Sequence, residues 1–163
     1  MKDTLDSYIK KETAANIVVN ALLGALIIWF LKKNGGPVIL SGEEGYGADI
    51  IASSFLLPFL MSAAVIAIQR HRLKKGTLSP VDLNAGPYSH KILRRFPHAL
   101  WLCALLFGLA GLLVFTPLTL LLAGLAGEPI FTPLVYTFAK AIWSGIVAGL
   151  MARPVILVAL AEK

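Results

Sequence analysis

The sequence predicts an all-α polytopic membrane protein, an antiparallel bundle of four transmembrane helices with both termini on the cytoplasmic side. Three observations predict it. Of the 163 residues, 57% are apolar and 15% charged, more apolar surface than a soluble domain of this length can hide. The apolar residues gather in four stretches, roughly 14–32, 49–69, 98–123 and 133–153. Each is close to the ~20 residues that a helix rising about 1.5 Å per residue needs to cross a hydrocarbon core of about 30 Å. The basic residues crowd into one loop, 70–97, which holds seven of the fifteen Lys and Arg.

The first stretch follows Met1–Thr13, which mixes Lys2, Lys10 and Lys11 with Asp3, Asp6 and Glu12 and ends without a small-residue cleavage site, at Trp29-Phe30-Leu31-Lys32-Lys33. A cleaved leader has a basic, acid-poor start, so this stretch is a retained span. The first loop, Asn34–Ala48, is glycine-rich and predicts turns. Its GEEGYG segment lacks the GK[ST] ending of a phosphate loop. The second loop carries the turn formers Ser79–Pro87 and then HKILRRFPH, His90–His98, a basic amphipathic turn suited to lie on headgroups before the third span. After the fourth span, Arg153-Pro154 is expected to end or bend the helix, leaving Val155–Leu160 as a bent or interfacial tail.

Charge sets the orientation. The positive-inside rule places loop 70–97 in the cytoplasm, and four spans then put both termini there, giving twelve basic residues inside against Lys32, Lys33 and Lys140 outside. Lys32 and Lys33 are offset by Glu43 and Glu44 in the same outer loop, and the third loop holds Glu128. A net charge of +6 in a soluble chain would suggest nucleic acid. Here the bases flank apolar runs, so the partner they imply is the anionic headgroup layer.

Chemistry-bearing motifs are sparse. Cys103 is the only cysteine and sits in an apolar run, and His71, His90 and His98 have no metal-ligand spacing. Neither G-x-S-x-G nor HExxH occurs. No catalytic residue, cofactor or metal is therefore predicted. Ionisable groups at membrane depth are the candidates, because each costs a few kcal/mol on the most lenient scale. Lys140, about 10 Å into the fourth span, can snorkel outward, pair with Asp49 at the start of the second, or hold a substrate. Ser53 and Ser144 lie one turn deeper than these two. Arg153 is interfacial if the last span begins at Leu134. If that span runs from Ala141 to Ala161 instead, Arg153 is buried and needs a partner, for which Glu12, Asn16 and Asn20 are placed. Asn16 and Asn20 are uncommon inside a span and suit hydrogen bonding to a neighbouring helix. Gly145 and Gly149 form a GxxxG spacing for close packing, within the bundle or between protomers, and Gly108 and Gly111 mark the third span. Pro58, Pro117 and Pro154 put a proline in or beside each of the last three spans, as discontinuous transporter helices do.

Asn20-Ala21-Leu22-Leu23-Gly24, Phe55-Leu56-Leu57-Pro58-Phe59 and Phe138-Ala139-Lys140-Ala141 leading to Pro154 together resemble a group of uncharacterised four-span bacterial inner-membrane proteins. The resemblance covers most of the chain and implies the topology, a bacterial inner-membrane location and a place for Lys140 and Pro154 in the group's pattern. It implies no mechanism. Three function classes remain: a non-enzymatic membrane protein that self-associates or serves a larger assembly, a small oligomeric transporter or channel, and an enzyme acting on lipid headgroups through Asp82, His90 and His98.

Overall fold

The structure, a computed structural model, describes residues 2–42, 45–82, 92–93 and 95–161, with the backbone alone at 2–4. It is all-helical, with α1 (Lys2–Lys32), α2 (Tyr46–Lys74), α3 (Leu100–Leu125) and α4 (Pro133–Leu160). All four are long and apolar enough to cross a membrane, so the chain is a multi-pass membrane protein.

Each helix except α3 outruns its predicted span toward the end that carries the termini and the loop after α2, called here the basic end. α1 gains 2–13, because Leu5, Tyr8 and Ile9 find a core to pack against there. α2 continues past Gln69 to Lys74 before Gly76, at φ +70°, ends it. α4 starts where Thr132 accepts a hydrogen bond from the Val135 N–H, with Pro133 at the first position, where its missing N–H costs nothing.

Successive helices alternate in direction, but only α2 and α3 are both successive and closely packed. α1 lies on α4 and α3 on α2, and the parallel pair α2 and α4 forms the seam between them. Lipid tails are as apolar as leucine, so helices in a bilayer gain little from hiding apolar side chains against each other and close approach matters more. A Cβ on Gly111 would meet the Ser54 carbonyl oxygen at 2.5 Å and Pro58 Cγ at the same distance. One on Gly108 would meet the Phe55 ring at 2.8 Å. Gly24 of α1 lies against Ser144, while Gly145 and Gly149 lie against Ile17 of the same chain. The GxxxG spacing therefore serves the α1–α4 contact inside the protomer.

At the far end, Val38 and Phe131 of the two short loops exchange both backbone hydrogen bonds, at 2.8 and 3.0 Å. At the basic end, α4 runs through Pro154 without stopping. Val155–Leu160, expected as a bent or interfacial tail, is the most enclosed stretch among the described residues. Ile9, Met61, Val65, Ile66, Cys103 and Phe107 surround it, and the Val81 N–H caps the Leu160 carbonyl at 2.8 Å. A helix with packed neighbours on all sides continues past a proline that would end an isolated one.

Gly111→Ala places a methyl against backbone and is expected to lower stability by about 1–3 kcal/mol. Gly124→Ala, which meets open space, should stay within about 0.5 kcal/mol of the parent. Unfolding in mixed micelles of rising SDS fraction measures both, and equal losses would refute close approach at Gly111.

Candidate functional site

The candidate site lies at the far end of the α2–α4 seam. Asp49 is one turn into α2 and Lys140 two turns into α4, and because these helices run parallel both face the same layer. Lys140 Nζ donates to Asp49 Oδ2 at 2.6 Å and to Ser53 Oγ. The Tyr136 hydroxyl, one turn before Lys140, donates to the same carboxylate oxygen. Ser53 in turn donates to the Asp49 carbonyl. The ammonium rests over the Trp143 ring, 4.5 Å from its centroid, a favourable placement for a cation withdrawn from water. Trp143 Nε1 donates to Thr119 Oγ1 at 2.9 Å, which carries the network to α3.

Lys140 is 5% exposed, so it is enclosed by protein and does not snorkel. Of the three readings open from sequence, the ion pair is the one the geometry adopts. Four enclosed hydroxyls, of Tyr46, Ser54, Thr116 and Ser144, have no hydrogen-bond partner among the described residues. The Tyr46 ring packs between Phe131 and Tyr136, with centroids 5.5 and 5.9 Å away.

The other expected residues lie elsewhere. Arg153 is exposed, with its side chain 61% accessible, and approaches Asp6 at 3.4 Å. It lies exposed on the outer face of α4, and the buried alternative with Glu12, Asn16 or Asn20 as partner does not occur. The reason is rotational: thirteen residues after Lys140, at about 100° per residue, Arg153 lies on nearly the opposite face of α4. Glu12 instead pairs with Arg72 at 2.7 Å. Both belong to a network at the basic end in which Tyr8 donates to Gln69 Oε1 at 2.5 Å and Gln69 Nε2 donates to Glu12 Oε2 at 3.0 Å. The two asparagines turn back on their own helix, Asn16 Nδ2 donating to the Glu12 carbonyl and Asn20 Nδ2 to the Asn16 carbonyl, each at 2.8 Å. Both remain half-buried.

Sequence reasoning missed Trp143, Thr119 and the Tyr8–Glu12–Gln69–Arg72 network. The available signal was spacing: Tyr8 and Glu12 are one turn apart, as are Gln69 and Arg72, so each pair shares a helix face. Of the loop residues proposed for headgroup chemistry, His90 lies outside the described residues, as do Glu43, Glu44, Lys91, Arg94 and Lys163. The His98 carbonyl accepts from Arg70 at 2.6 Å. Leu93 and Phe96 of the expected headgroup turn pack on the protein core. Among the described residues no group of three or more His, Cys, Asp and Glu is placed to hold a metal ion. No family model, curated protein or solved structure matches the chain.

Removing one partner of an enclosed ion pair strands the other charge. Asp49→Asn strands an ammonium whose side chain is 6% accessible, whereas Lys140→Met strands a carboxylate that is 24% accessible and keeps Tyr136. Asp49→Asn should therefore cost about 3 kcal/mol and Lys140→Met roughly half that. The double variant should lose less than the sum of the two. Additive losses in the same micellar unfolding would show that the pair is uncoupled.

Proposed function

We propose that this chain is a non-catalytic protein of a bacterial inner membrane that works by associating, through α1, with a second copy of itself or with a larger membrane assembly. In this reading both termini and the basic loop lie in the cytoplasm, against anionic headgroups. The observation that carries it is the state of Asn16 and Asn20. Asn20 sits twelve residues from the Lys32 end of α1, about 18 Å, and so near the middle of a core about 30 Å thick. A carboxamide there offers up to four hydrogen-bonding positions, and the bonds these two make run back along α1. Amides at this depth hold neighbouring helices together. α1 is also the least covered helix, with 6% of its most apolar window buried against 50% for α4. It presents Val18, Leu22, Leu26 and Phe30 outward.

A second reading, a small oligomeric transporter, is favoured by the enclosed Asp49–Lys140 pair and the four enclosed hydroxyls without a partner among the described residues. It requires flux: proton entry into reconstituted vesicles, followed with a pH-sensitive dye, would exceed that of empty vesicles and fall with Lys140→Met.

Under the association reading, photobleaching of a fluorescent fusion in native vesicles should show more than one copy per spot, or the extracted protein should carry a stoichiometric foreign subunit. Asn16→Leu with Asn20→Leu should weaken that association about tenfold while leaving the helical content intact, at roughly 0.6–1.7 kcal/mol for each amide. A single copy without a companion would sink the proposal. For orientation, reporter fusions after Gly36 and Glu128 should read periplasmic and those after Thr77 and Lys163 cytoplasmic. The inverse pattern would overturn the charge argument.

A further inference from the structure

A groove of about 510 Å³ runs between α1 and α4 and opens sideways, toward the bilayer. Gly145 and Gly149, packed against Ile17, border its floor, and Ile17, Ala21, Ile142 and Leu150 form its apolar walls. From Ala141 at its far end to Arg153 is twelve residues, about 18 Å of helix, against about 15 Å for one leaflet of a 30 Å core. The groove thus spans one leaflet, the one at the basic end.

Its mouth at that end is charged. Arg153 lies four residues beyond Gly149 and seven beyond Ile146, on the groove's face of α4. Lys10 lies seven residues before Ile17, on the matching face of α1, and is exposed. Asp6 meets the guanidinium at 3.4 Å, but both side chains are more than half accessible, and an ion pair in that setting is weak. Among the described side chains, two cations and one carboxylate leave a net positive mouth above an apolar slot one leaflet deep.

We propose that this groove holds one anionic phospholipid of the leaflet at the basic end, with an acyl chain along Gly145 and Gly149 and its phosphate on Arg153 and Lys10. The guanidinium fork suits a phosphate bidentately, and the lysine adds a point charge. The slot is sized for a chain and not for a helix, whose diameter with side chains is about 10–12 Å. A second copy laid into it would set Arg153 and Lys10 against the same cations. The site is separate from the proposed association face, because Asn16 and Asn20 lie roughly 60–100° around α1 from Ile17. It also holds whichever way the chain is inserted, since groove and cations share an end.

The test uses the full chain, delipidated in a neutral detergent and titrated with phosphatidylglycerol or phosphatidylcholine of identical acyl chains, with bound lipids counted by native mass spectrometry. The first phosphatidylglycerol should bind about tenfold more tightly than the first phosphatidylcholine. Arg153→Gln with Lys10→Gln should erase that preference and leave phosphatidylcholine binding unchanged. Gly149→Leu, which fills the floor, should weaken both lipids. Equal affinities in the parent, or a preference that survives Arg153→Gln with Lys10→Gln, would overturn the proposal. Those two residues are exposed at the surface, so their substitution keeps the test valid if Gly149→Leu fails to fold.

Discussion

A lysine ammonium held inside a bilayer has to find an acid, and in this chain that constraint sets α2 beside α4. The two helices are separated in sequence by a whole span and run parallel, so no short loop brings them together. The Lys140–Asp49 contact fixes both their adjacency and their register. Once that seam exists, α1 has one flank to occupy, along Ser144, Gly145 and Gly149, and α3 has the other, along Ser54 and Pro58. Trp143 lies over the ammonium and reaches Thr119, so the same cluster ties α3 to α4 at the far end. Apolar side chains facing lipid have no comparable power to choose a neighbour, because lipid and leucine are equivalent surroundings.

The basic end is held differently. α1, at 31 residues, is about 46 Å long, well over the ~30 Å of hydrocarbon it must cross. The excess carries Leu5, Tyr8 and Ile9 onto the buried segment Val155–Leu160. There, near water, apolar burial is a driving force again, worth on the order of 25 cal/mol per Å². The Tyr8, Glu12, Gln69 and Arg72 network closes over it and joins α1 to α2, which are not packed neighbours along most of their length. One end of the bundle is organised by a charge pair in a low-dielectric medium and the other by a small core of the kind found in soluble domains.

That division explains what could be read from the residues. The four spans were legible because a bilayer imposes a length and a composition on anything that crosses it. The Asp49–Lys140 pair was legible only as one of three readings, because a lysine two turns into a span can also snorkel outward. Neighbour choice was not, since α3 and α4 joined by a short loop look like a pair by connection, whereas α3 packs on α2. The 155–160 segment was misjudged for a related reason. Pro154 marks the end of a helix judged by itself, and only the surrounding core, assembled from α1, α2 and α3, holds α4 helical beyond it. Asn16 and Asn20 were expected to bridge helices and instead bond their own backbone. Which of its faces a helix turns to a neighbour is a tertiary fact.

α4 carries two cations with opposite surroundings, and the helix itself keeps them apart. Thirteen residues at about 100° each leave Lys140 and Arg153 roughly 140° from one another around the axis. Lys140 therefore points into the seam, where its charge is consumed by Asp49, Tyr136's carboxylate partner. Arg153 lies exposed beside Asp6 of α1, where its charge stays available next to a weak partner. Since the enclosed pair lies near one end of α4 and the exposed arginine near the other, a phosphate gained or lost at Arg153 leaves the contact that orders the bundle untouched. The interior of α4 thus does the holding, and its outer face, together with the thinly covered α1, is left to meet whatever the membrane contains.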